Sequence, residues 1–136
     1  MSQWTHVLFV AEVITTERLS KQILKEQVEQ TALKYGEVIS GSEGGCDVFV
    51  NIPSYHNAVL LTDRDDEYRW SNAYITICGH LRDRTVDETG DDVEWVVKRM
   101  KQDFRGVRNI TYDVLSDGNE LHYWRDQDKE KKNERD

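Results

Sequence analysis

Two short segments of this chain carry residue types suited to gripping a small anion. The first is Gly41-Ser42-Glu43-Gly44-Gly45. Glycines at such density permit positive φ and close backbone approach to a ligand. Their N–H groups can form an anion-binding concavity, to which Ser42 adds a hydroxyl donor. The same composition also suits a plain flexible connector after a helix. The second segment is Gly79-His80-Leu81-Arg82-Asp83-Arg84. Arg82 and Arg84 place positive charge in an otherwise acidic chain, and a guanidinium can hold a phosphate with two parallel hydrogen bonds. Surface pairing of Arg82 with Asp83, or of Arg84 with Asp87, accounts for the same residues equally well. A third cluster, Tyr68, Trp70 and Tyr74, offers flat faces on which a base can stack or which can simply cover a sheet.

Other chemistry lacks its residues. The first segment has neither the Lys-Ser/Thr pair of a phosphate-binding P-loop nor a G-x-G-x-x-G spacing. His6, His56, His80 and His122 form no H-x-H or H-x-x-x-H pair, and Cys46 and Cys78 do not complete a zinc set. No G-x-S-x-G elbow or paired H-x-T/S motif is present. Cys78 falls inside a strand pattern, which suits packing better than nucleophilic attack. Glu43 has no partner at a defined spacing for general-base work. The expectation is therefore a binding protein, with no catalytic residue, metal or cofactor.

The elements that must carry these segments follow from periodicity. Trp4 to Thr15 alternates as a strand, apolar on both faces and hence central. Thr16 is a candidate N-cap for a helix with Leu19, Ile23, Val28, Ala32 and Tyr35 on its apolar stripe, ended by Gly36. Cys46 to Ile52, Ala58 to Thr62 and Ala73 to Cys78 read as strands, with Asp63 to Glu67 as a charged turn and Gly79 to Gly90 as a polar connection. Asp91 or Asp92 is expected to cap a second helix bearing Val93, Val96, Val97, Met100 and Phe104, ended by Gly106. Ile110 to Leu115 and Leu121 to Trp124 form a hairpin around Asp117-Gly118. This order repeats strand–helix–strands twice. It predicts an α+β fold, an antiparallel sheet with two helices on one face, ferredoxin-like in outline. Residues 1–124 form the single domain. Residues 125–136, with five basic and five acidic residues and no apolar one, are expected to form a frayed or disordered tail.

The chain has 136 residues, 38% apolar and 32% charged, with a formal charge of −8. Folding would bury about two-thirds of the extended chain's surface, enough for a real core. The negative charge disfavours long nucleic acid, whose binding needs a basic face. No apolar run approaches the ~18 residues of a membrane span. Neither a secretory leader nor a disulfide framework is visible, so the expected location is the cytoplasm.

Trp4-Thr5-His6-Val7 opens the first strand, Gly41-Ser42-Glu43-Gly44 follows the first helix, and Gly79-His80-Leu81-Arg82-Asp83 ends a middle strand shortly before Val93-Glu94-Trp95. In this order the motifs resemble small bacteriophage proteins with a Trp-Thr-His-Val start, and the chain is similar over residues 4 to about 124 to the Thoeris anti-defence proteins, the nucleotide sponges. The resemblance implies sequestration without chemistry: a cyclic ADP-ribose isomer is held so that a host effector is never activated. It also implies a homo-oligomer with pockets at subunit contacts, with a cyclic oligonucleotide at a second site in some members. The matching positions are Gly41, Ser42, Glu43, Gly44, Arg82 and Asp83. Glu43 departs from a phosphate loop, since a carboxylate repels phosphate, and suits ribose hydroxyls or an adenine amino group. Gly45-Cys46-Asp47 is a further local departure. In the resulting expectation Arg82 and Arg84 hold the diphosphate, the 41–45 loop the ribose or phosphate edge, and Trp70 or Tyr74 the adenine. The competing expectation is an acidic protein–protein inhibitor of a host defence enzyme, its −8 charge docking a basic partner.

Overall fold

The computed structural model describes residues 3–15, 21–52, 71–116 and 121–125. The expected cap at Thr16, the strand Ala58 to Thr62, the charged turn Asp63 to Glu67, Trp70, the Asp117-Gly118 turn and the tail beyond 125 lie outside the described residues.

Strand β1 (Trp4–Thr15) is central, as its two apolar faces require. It is followed by α1 (Lys21–Val38), a small hairpin of β2 (Ser40–Gly41) and β3 (Gly44–Gly45), β4 (Asp47–Asn51), β5 (Ser71–Arg82), α2 (Val86–Asp103), β6 (Gly106–Ser116) and β7 (Leu121–Arg125). The main sheet runs β4-β5-β1-β6-β7, and its neighbouring pairs are antiparallel. With β1, β4, β5 and β6 counted first to fourth, the order is the 4-1-3-2 of a ferredoxin-like α+β sandwich, extended by β7.

Both helices cover one face. From the sheet, Val7, Phe9, Ala11 and Val13 of β1, Ile75 and Ile77 of β5, and Ile110 and Val114 of β6 point into the core. They meet Leu24, Val28, Ala32 and Tyr35 of α1 and Val93, Val96 and Met100 of α2. Burying such a stripe on each helix is what holds it to the sheet, at roughly 25 cal/mol per Å² of apolar surface removed from water. No described helix is long and apolar enough to cross a membrane.

Several boundaries differ from expectation, each for a physical reason. Leu24 rather than Ile23 joins the α1 stripe, because a 3.6-residue period counted back from Tyr35 through Ala32 and Val28 lands on 24, leaving Ile23 exposed. Gly36 lies inside α1 instead of ending it. A Cβ there would come within 2.6 Å of Val48 Cγ2 and 2.8 Å of the Cys46 carbonyl, so the glycine permits close passage of the chain entering β4. Strand β5 continues through Gly79 to Arg82, because β1 pairs with it over its whole length. The cap of α2 is Thr85, not Asp91 or Asp92. Thr85 and Glu88 form a reciprocal capping box, the Thr-x-x-Glu signature sitting six residues before the first expected position. Gly106 opens β6, and the helix closes one turn earlier with Phe104 N–H donating to the Met100 carbonyl at 3.0 Å.

Candidate functional site

The two glycine-bearing segments meet at one end of the β1–β5 ladder. Residues 41–45 are not an open loop. Ser42 and Glu43 form the two-residue tip of the β2–β3 hairpin, with Gly44 at φ 127°. The hairpin lies against the end of β5: Ser42 N–H donates to the Arg82 carbonyl at 2.9 Å. Gly41 makes that contact possible, since a Cβ there would stand 2.5 Å from the Arg82 carbonyl oxygen. Ser42 Oγ donates to Asp83 Oδ2 at 3.0 Å. Arg82 Nη1 donates to Glu43 Oε1 at 2.6 Å, and Arg82 Nε lies 3.9 Å from Asp83 Oδ2. Asp83 adopts a left-handed φ of 60°, a conformation Asp tolerates better than most residues. Its N–H donates to the Gln3 carbonyl at 2.6 Å, tying the turn to the start of β1.

Gly41, Ser42, Glu43, Gly44, Arg82 and Asp83 are therefore one spatial unit, although Glu43 and Arg82 lie 39 residues apart in sequence. The Arg82 and Glu43 side chains are 40% and 57% exposed. The pair is a surface ion pair that a competing anion can open at little cost. Hydrogen bonding to Glu43 holds the Arg82 guanidinium above its ordinary range, so it stays charged.

Arg84 is held differently. Its Nη1 donates to Glu88 Oε2 at 2.9 Å and its Nη2 to Asp92 Oδ2, both on α2. Its carbonyl accepts from the buried Thr5 hydroxyl at 2.6 Å. Arg84 thus pins the helix start to the sheet, and only its buried Nε N–H lacks a partner in this set of contacts. Thr85 backbone and side-chain donors hold the Glu88 carboxyl below its usual range.

The expected aromatic partner is not at this site. Tyr74 lies eight residues before Arg82 on β5, about 26 Å away at strand rise, opposite Glu12 and Asn51. The aromatic side chain beside Arg82 is Trp4, its direct cross-strand partner and half-buried. The next pair along the same face, the one turned away from the helices, is His6 opposite His80. Their Nδ1 atoms share a hydrogen bond of 2.6 Å, with the rings edge-to-face at 4.7 Å. Trp4, His6, His80 and Arg82 occupy alternate positions on two paired strands, so they share a face. Within each segment this parity was readable, but the register joining the segments is not local.

Among the described residues no three His, Cys, Asp or Glu side chains converge as a metal site. Burial pushes the Cys46 thiol up to about 12, leaving little thiolate at neutral pH. Comparison with family models, curated proteins and solved structures returned no match.

Proposed function

We propose that this chain is a non-enzymatic binding protein that sequesters a small adenine-containing phosphate signal of the cyclic ADP-ribose type, as a phage-encoded anti-defence sponge would. The observation that carries this reading is the meeting of Gly41–Gly44 with Arg82 and Asp83 beside a half-buried tryptophan. In it, Arg82 exchanges Glu43 for a phosphate oxygen pair. The freed Glu43 carboxylate accepts from ribose hydroxyls, and Trp4 rather than Tyr74 supplies the flat face for adenine. Arg84 acts at one remove, by fixing the turn that aims Arg82.

The Arg82 and Glu43 side chains are exposed within one chain, so the reading includes a homo-oligomer in which a neighbouring subunit covers them. Sequestration needs tight binding and release of intact ligand, with no bond broken. The test is isothermal titration of purified protein with cyclic ADP-ribose isomers, followed by chromatography of the nucleotide released on heating. Micromolar or tighter binding with intact ligand recovered supports the reading. A cleaved product would instead make the chain an enzyme, and an absence of heat at micromolar concentration would remove the reading.

A further inference from the structure

The helical layer, on the opposite side of the sheet from Trp4 and Arg82, carries a groove of about 280 Å³ between α1 and α2. Its floor includes Tyr35, 1% exposed, and Val38. Trp95, Arg99 and Asp103 line one side at successive turns of α2, and Lys34 lies on the α1 side. Trp95 is 49% exposed, an unusual place for so large an apolar surface on a helix whose Val86, Val93, Val96 and Met100 are buried.

The polar groups are arranged unevenly. Tyr35 Oη donates to Asp103 Oδ2 at 2.7 Å, and Arg99 Nε lies 3.3 Å from Asp103 Oδ1. Both Asp103 oxygens are thereby engaged. The Lys34 ammonium has no hydrogen bond or ion pair among the described residues, and the Arg99 side chain is 52% exposed. Lys34, Arg99 and Asp103 sum to a local charge of +1 in a chain of −8. A positive groove walled by an exposed indole, in a strongly acidic protein, selects a ligand that is both flat and anionic. Its volume is at the small end of ligand sites, which run from about 300 Å³ upward. That size suits one fused ring system with one charged group.

We infer that this groove binds a small aromatic anion, a single flat ring system bearing one phosphate or carboxylate, stacked on Trp95 with its charge on Lys34 and Arg99. The two sites share no lining residue: Arg82 and Trp4 face away from the helices, although the chain leaving the hairpin meets α1, where Cys46 N–H donates to the Gly36 carbonyl at 2.9 Å.

The experiment is a set of ¹H–¹⁵N correlation titrations of the full chain with AMP and, separately, indole-3-acetate. Adenosine supplies the ring without the charge, and inorganic phosphate the charge without the ring. The expected result is saturable shifts of amides in residues 31–38 and 95–103 with at least one of the two aromatic anions. The stronger of the two tells phosphate from carboxylate, and both controls are weaker by about tenfold or more. Trp95→Leu and Lys34→Gln, at exposed positions, each weaken binding about tenfold with an unchanged melting midpoint, while Arg82→Ala leaves it intact. Shifts absent from both helices with both anions, or binding that survives Trp95→Leu together with Lys34→Gln, would overturn the proposal. Loss on Arg82→Ala with the two groove variants unaffected would overturn it too, by moving the binding to the hairpin.

Discussion

Two arginine–carboxylate clusters occupy opposite ends of the central strand, and they differ in almost everything but their chemistry. At the far end of β1, Glu12 is 3% exposed and accepts four hydrogen bonds: from Arg108 Nε at 2.7 Å and Nη2 at 3.3 Å, from Asn109 Nδ2 at 2.9 Å and from Asn72 Nδ2 at 2.8 Å. It sits beside a bulge in the β1–β6 pairing, where Asn109 takes a left-handed φ of 55° and turns toward the carboxylate. At the near end, Glu43 and Arg82 meet through one short hydrogen bond between exposed side chains. Burial separates their roles. A carboxylate saturated by four donors and closed off from water has no capacity left for a ligand, so Glu12 is a structural pin. The Glu43–Arg82 pair is open to solvent, its side chains 57% and 40% exposed, so a competing anion can take Glu43's place at little cost.

Breaking the buried end should have the larger effect on folding. Glu12→Ala strips the acceptor from three donor side chains and is expected to lower stability by about 3 kcal/mol, read as a lower denaturant midpoint with an unchanged slope, while ligand affinity stays as in the parent. If stability is unchanged, the Glu12 cluster does not pin the bulge. The same cluster sets an acid dependence. Hydrogen bonds from Arg108, first among the causes, hold the Glu12 carboxyl below its ordinary range. Its contribution is therefore complete above the unfolded carboxyl value of about 4.3 and is lost as pH falls through the lower folded value. Thermal melts from pH 7 down to 3 should fall more steeply for the parent than for Glu12→Gln; parallel curves would contradict this.

At the exposed end the effects on folding shrink. Gly41→Ala sets a methyl group against the Arg82 carbonyl and must lift the hairpin from β5. The expected loss is about 1–3 kcal/mol, together with weaker ligand binding. A variant that melts with the parent and binds like it would mean the hairpin contact positions nothing. Smallest of all is Glu43→Gln, which keeps an acceptor but removes the charge competing for Arg82. It should leave the melting midpoint in place and change affinity by less than about fivefold, toward tighter binding at low salt.

The contrast also marks what can be read from sequence. Local patterns carried the fold: the double-faced strand at Trp4–Thr15, the Val93–Val96–Met100 stripe and the strand–helix–strands repeat each rest on residues a few positions apart. Glycines misled where they served close packing, as Gly36 does inside α1. Proximity of Gly41–Gly44 to Arg82 depended on a hairpin docking 39 residues away, which no spacing encodes. Nothing local singles out Glu12 in a strand of apolar residues, because its partners Asn72, Arg108 and Asn109 come from β5 and from the bulged start of β6.

The most direct test of the account is one calorimetric comparison: parent, Arg82→Ala and Arg82→Lys titrated with cyclic ADP-ribose isomers, each melted in parallel. The account predicts binding by the parent, a loss of roughly 10- to 150-fold for Arg82→Ala, partial recovery for Arg82→Lys because one ammonium cannot reproduce a two-pronged guanidinium, and three closely similar melting midpoints. Equal affinity across all three proteins, or a fall in affinity matched by a fall in melting midpoint, would contradict it.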